Sequence, residues 1–234
     1  MFRYRIFIFL FLFPMMVLGQ HTVTHGNVLW ANYNNSFRVD NKWSIVNDIQ
    51  IRTKDEIDKW SLFALRSGLV YKINKKVSVT AGFAWFGSVN YFEEKVVVAN
   101  EWRPFQELSI QREIKLLKFL QRLRLEQRFL QKVSAGKKMH DFETRHRLRY
   151  RFEFGYPVFN KKVVLFAGNE VMGNLNYIKD IRFFDQNRAF LAVNTKLSAS
   201  TLFQFQYIRL VQWRPAINVL ENNNVFRCSI HQQF

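Results

Sequence analysis

Residues 143–153 read ETRHRLRYRFE, with a charge at every second position: Glu143, Arg145, Arg147, Arg149, Arg151 and Glu153. Thr144, His146, Leu148, Tyr150 and Phe152 stand between them. On an α-helix a step of two residues turns the side chain by about 200°. Six alternate charges would then spread around the axis and leave no apolar stripe. On a strand they form one face. The segment therefore predicts a strand with one charged and one apolar face, in a fold that can house the charged one.

The same period recurs. WSIVNDIQIR (43–52) places Trp43, Ile45, Ile49 and Ile51 opposite Ser44, Asp48, Gln50 and Arg52. STLFQFQYIRL (200–210) sets Phe203, Phe205 and Tyr207 against Gln204 and Gln206. The last residues oppose Phe226, Cys228, Ile230 and Phe234 to Arg227, Ser229, His231 and Gln233. In 116–129, a helical turn over LLKFLQRL competes with a strand. Leu125 and Phe129 leave the helical stripe but stay in line with Leu123 on a strand, which favours the strand. The candidate strands are 28–39, 43–52, 60–72, 77–87, 104–115, 119–132, 141–156, 162–172, 186–197, 201–212 and 223–234. Several approach the roughly 9–11 residues that cross a bilayer at a tilt. Joins at 40–42, 74–76, 159–162 and 198–200 are short, and those at 53–59, 88–103, 133–140, 173–185 and 213–222 are longer. Outer-membrane barrels have short periplasmic turns and longer outer loops.

The N-terminus points the same way. MFRYR is a short cationic start, and residues 6–18 are an apolar run followed by Gly19-Gln20. This is the layout of a cleaved secretory signal, expected over residues 1–19, with residues 20–234 as one domain. The run is shorter than the roughly 20 residues of a transmembrane helix. No Cys follows it, which argues against lipoprotein processing. Lys and Arg number 35 against 18 Asp and Glu, a formal charge of +17. That excess alone would suggest nucleic acid or an anionic surface. Export argues against nucleic acid. The single Cys228 excludes a disulfide framework.

The expected fold is all-β: an antiparallel transmembrane β-barrel of about twelve strands, within a range of 10–12. Eleven segments are visible, and single-chain bacterial barrels usually have an even number. Residues 20–27 are the candidate for a twelfth strand. In a bilayer every backbone polar group must be paired internally, so a spanning sheet closes. An Arg facing lipid at mid-depth costs about 2–4 kcal/mol, so the charged faces must point into the lumen. This places Glu107 and Glu113, then Arg122, Arg124, Glu126 and Arg128, then Glu143, Arg145, Arg147, Arg149, Arg151 and Glu153 on three consecutive lumen-facing strands. Arginine's planar fork suits carboxylates, and cross-strand pairs are expected. Side chains largely fill a barrel of this size. The other expectation is a cationic lumen that selects anions or binds an anionic head group. Phe234, on the apolar parity of the last strand, is similar to the terminal aromatic signal read by the barrel assembly machinery.

NKWSI (41–45), LRSGLVYKINKKVSVTAGFAWF (65–86), EWRPFQEL (101–108), RLRLEQRF (122–129), RHRLRYRFEF (145–154), FDQNR (184–188) and ENN (221–223) occur in this order. On these segments the chain resembles the exported bacterial family called domain of unknown function 2490, over roughly residues 27–234. The resemblance implies an outer-membrane β-barrel and no assigned activity. FDQNR and ENN follow long joins, so Asp185, Arg188, Glu221 and Asn222 are expected near the outer rim.

His21, His25, His140, His146 and His231 show no zinc spacing on one strand face, and neither a metal nor a cofactor is expected. Nucleophile-elbow, phosphate-loop and calcium-loop motifs are missing from the sequence. Ser229 and His231 share the lumen face at ordinary strand spacing. His146 shares parity with Leu148 and Tyr150, at an outer aromatic belt. WRP occurs at 102–104 and 213–215, each at the end of a long join, where Trp suits a membrane interface. The first expectation is thus a non-enzymatic outer-membrane barrel with a charged, largely filled lumen. Its partners would be outer-membrane lipid, the assembly machinery, and small anions or lipopolysaccharide head groups. The others are a narrow anion-preferring channel, an outer-membrane lipid-modifying enzyme and a soluble periplasmic β-protein.

Overall fold

The alternation persists through eleven strands that close on themselves. The computed structural model describes residues 22–54, 58–93, 95–159, 162–176, 182–214 and 218–234. The expected signal segment, with Gln20 and His21, lies outside them. The strands are β1 (Thr22–Arg38), β2 (Trp43–Lys54), β3 (Lys59–Lys72), β4 (Val77–Phe92), β5 (Lys95–Ile114), β6 (Leu117–Ser134), β7 (Lys137–Val158), β8 (Val163–Asn174), β9 (Phe184–Lys196), β10 (Thr201–Arg214) and β11 (Val219–Gln233). Each pairs antiparallel with the next, and β1 closes the barrel against β11.

The strand number corrects the expectation of about twelve. Residues 22–27 are not a separate strand but the first part of the 17-residue β1. Ten reversals leave the first and eleventh strands pointing the same way, so the seam is parallel, from Thr22↔Val219 to Ser36↔Gln233. Phe234 fastens one end of this seam. Its amide donates to the Ser36 carbonyl (2.9 Å), its carbonyl accepts from the Arg38 amide (3.0 Å), and its ring stacks on Phe37 at 4.8 Å.

Five joins lie at this end, the turn end: 39–42, 73–76, 115–116, 159–162 and 197–200. Three share one device. The Asp40 carboxylate accepts from the amides of Lys42 (2.6 Å) and Trp43 (2.7 Å). Asn74 Oδ1 accepts from Lys76 (2.8 Å) and Val77 (2.9 Å). Ser198 Oγ accepts from Ser200 (3.2 Å) and Thr201 (3.0 Å). A short polar side chain bonding the backbone two and three residues on makes a turn without any partner from outside it. The amides of Trp43 and Lys42 hold the exposed Asp40 carboxyl below its ordinary value.

At the other end, the loop end, the long joins expected at 88–103 and 133–140 are instead continuous strand. β4 and β5 run on until only residues 93–94 separate them, and β6 and β7 until only Ala135-Gly136 do. Both residues of the latter pair have positive φ, 46° and 67°, as a two-residue hairpin with primed-turn geometry requires.

The faces are inverted relative to an ordinary domain. Ile49, Leu65, Phe83, Leu123, Leu191 and Phe205 are exposed on the outside. Gln50, Glu126, Arg147 and Gln206 are buried inside. An apolar layer of Trp30, Phe190, Ile208, Leu210 and Val225 packs within the lumen. None of the described residues forms a helix long and apolar enough to cross a membrane; strands are not covered by that test.

Candidate functional site

Register decides how the lumen charges meet. Across β6 and β7, Arg122 faces Arg151, Arg124 faces Arg149 and Arg128 faces Arg145. Like charges directly opposite are unfavourable, so the carboxylates must serve these arginines diagonally. Glu126, opposite Arg147 and only 1% exposed, is the hub. Its Oε2 accepts from Arg147 Nε (2.9 Å) and Nη2 (2.5 Å), and its Oε1 from Arg149 Nη1 (2.7 Å). Arg103 and Arg124 stand 3.4 and 3.8 Å away. Glu170 is the second hub. It accepts from Arg122 (2.7 Å) and Arg149 (2.9 Å), with Arg188 at 3.5 Å. Glu101 accepts from Arg103 and Arg128, both at 2.6 Å. Glu107 accepts from Arg124 at 2.5 Å, with Arg122 at 3.6 Å. Asp185 accepts from Arg147 at 2.8 Å. One network thus ties β5 to β9 across the barrel.

Aromatic rings carry the other faces of these guanidinium groups. Phe105 lies over Gly82, its register partner on β4, where an added Cβ would collide with the ring and with the Ser67 carbonyl oxygen. Arg124 stacks on that ring at 4.4 Å. Phe190 covers Gly168 in the same way, and Arg151 stacks on it at 4.3 Å. The glycines make room for rings, and the rings hold arginines flat against the wall by cation–π attraction.

The remaining charged positions pair outside the two hubs. Arg145 pairs with Glu143 at 2.6 Å, and Arg151 with Glu153. Glu113, exposed, is 3.7 Å from Lys118. Of the expected rim residues, Glu221 pairs with Arg214 at 2.9 Å, and the Asn222 carbonyl contacts His25. Asp185 and Arg188 correct the expectation. They follow the 175–183 join, but both side chains turn into the barrel, Asp185 to Arg147 and Arg188 to Glu170. The β8–β9 register shift between Met172 and Gly173, which leaves Asp185 without a partner on β8, lets residues three apart share the lumen side. His146 faces outward, and its amide and Nδ1 both meet Asn176 Oδ1. Trp102 is not at a loop end: it lies within β5 and stacks on Phe83 at 5.7 Å. Trp213 is buried, and Pro215 lies outside the described residues.

Four central groups were not singled out from sequence. Glu101 and Arg103 share the parity of Glu107, a signal that was available. Glu170 stands alone among small and apolar residues, and Arg227 was noted on the lumen face without a role.

A cavity of about 490 Å3 lies between the network and the β10–β11–β1–β2 wall. Ser36, Val46 and Gln233 line both it and a second cavity of about 760 Å3 at the turn end, so it opens there. Toward the loop end lie the apolar layer and the buried Glu126 with its arginines. Among the described residues no group of three or more His, Cys, Asp or Glu is placed to hold a metal.

A family model described as "Protein of unknown function (DUF2490)" matches residues 27–221. Neither a curated protein nor a solved structure matches the chain.

Proposed function

Because the chain belongs to the DUF2490 family of proteins of unknown function, membership fixes no activity, and we propose that it is an outer-membrane β-barrel whose lumen is closed by its own arginine–carboxylate network. It acts without catalysis, in envelope structure or in a minor binding or transport role. The observation that carries this is Glu126, a carboxylate 1% exposed inside a closed sheet and within 4 Å of four arginines. Such a charge is tolerable only where paired, and four guanidinium groups converging on one point leave no open axis. The apolar exterior supports lipid as the surrounding medium, since a soluble monomer rarely exposes so large an apolar surface. Short turns suit the periplasmic side. Phe234 would be the group met by the assembly machinery.

The cavity favours a second reading, a narrow anion-preferring path. Eight arginines but three carboxylates line it. A lipid-modifying activity lost on Ser229→Ala or His231→Ala would replace both.

Membrane placement has a direct test. Expressed with its leader in a Gram-negative host, the protein is expected to stay in the membrane fraction after carbonate washing. Unheated, it should migrate faster in a gel than after boiling. Release into the carbonate supernatant would contradict the proposal.

A further inference from the structure

One register row of the lumen wall reads Arg52 (β2), Trp30 (β1), Arg227 (β11) and Gln206 (β10). The next row toward the turn end is Gln50, Asn32, Ser229 and Gln204. All eight line the 490 Å3 cavity. Among the described residues neither Arg52 nor Arg227 has a carboxylate partner. Arg52 donates to Gln50 Oε1 (2.7 Å) and lies over the Trp30 ring at 4.0 Å. Arg227 donates to Gln204 at 3.2 Å, and its Nε is buried without a hydrogen-bond partner. Arg188, whose guanidinium lies 5.1 Å from the same Trp30 ring, also has an Nε without a partner. Gln206 is 1% exposed, and neither its amide oxygen nor its nitrogen has a partner.

Buried polar groups are normally satisfied, and leaving one unmet is unfavourable. Around this single space the Nε atoms of Arg149, Arg188 and Arg227, the whole Gln206 amide and His231 Nε2 are unmet. The surplus is cationic, so the missing partner is an anion. Amides and a hydroxyl flank the arginines, a set that donates to and accepts from hydroxyl groups. The volume falls in the range of small-molecule sites, about 300–1,000 Å3. We propose that this wall binds a compact hydroxylated anion, a sugar carrying a carboxylate or a phosphate ester. The anionic group would sit between Arg227, Arg52 and Arg188, and the hydroxyls on Gln206, Ser229 and Asn32. It enters from the turn end. The inference goes beyond the closed-lumen reading: ion current would sink that reading and leave the site, whereas a failure to bind would do the reverse.

The test is titration calorimetry on the full-length protein, folded in detergent micelles, with glucuronate, glucose 6-phosphate, glucose and inorganic phosphate. One of the two hydroxylated anions is expected to bind, and which one distinguishes carboxylate from phosphate ester. Glucose, without charge, and inorganic phosphate, without the hydroxylated ring, should both bind at least about tenfold more weakly. Arg227→Gln and Arg52→Gln should each weaken binding about tenfold or more while keeping heat-modifiable mobility. If either fails to fold, Gln206→Met, which changes no charge, should also weaken it. No binding by either hydroxylated anion, inorganic phosphate binding as tightly as they do, or binding unchanged in the folded variants would overturn the site.

Discussion

Glu126→Gln is expected to destabilise the barrel by about 3–5 kcal/mol, the cost of removing one member of a buried ion pair. The change keeps the shape of the side chain and deletes its charge. Arg147 and Arg149 each lose a charged acceptor at 2.5–2.7 Å. Arg103 and Arg124 lose the nearby charge that offsets their own. Asp185 and Glu170 still hold one nitrogen each of Arg147 and Arg149, so the fold should weaken rather than fail to form. The measurement is the urea midpoint of the folded protein in micelles. Glu113→Gln is the matched control. That carboxylate is exposed and 3.7 Å from Lys118, and such surface pairs contribute about 0–1 kcal/mol. Equal effects at the two positions would mean that the network is not what holds the lumen.

Gly82→Ala should cost about 1–3 kcal/mol through overpacking, although alanine ordinarily suits a strand better than glycine. The new methyl would stand where the Phe105 ring lies and 2.5 Å from the Ser67 carbonyl oxygen. Displacing the ring also moves the surface on which Arg124 rests. Combining it with Phe105→Leu should recover only part of the loss, because the backbone oxygen remains in place. A midpoint at or above that of the parent protein would show that Gly82 is not a seat for the ring.

Strand period and lumen parity were legible in ETRHRLRYRFE, because alternate charges cannot be reconciled with a helix. The arrangement of the charges was not. Parity says that Arg122, Arg124 and Glu126 face inward, but only register shows that arginine meets arginine across β6 and β7. Glu101 and Arg103 fall within the expected 88–103 join, just before the candidate strand 104–115, which opens on Pro104, a residue suited to a strand's first position. In the structure Pro104 is paired with Phe83 on β4, and the β5–β6 ladder is interrupted beside it, between Trp102↔Phe129 and Phe105↔Glu126, where a missing N–H is tolerated. Glu170 was invisible because one carboxylate between small residues carries no period. Eleven strand segments are legible in the sequence, and the even-number rule for single-chain barrels argues for a twelfth at 20–27. Residues 22–27 instead lengthen β1 and pair with β11, so the count stays odd.

The claim at the centre is a membrane-spanning barrel closed by its own charges. Planar-bilayer recording on the purified, folded protein tests it most directly. The network predicts silence, with no steady current above the bare membrane. A sustained anion-selective current would contradict it and show that the arginines line an open path.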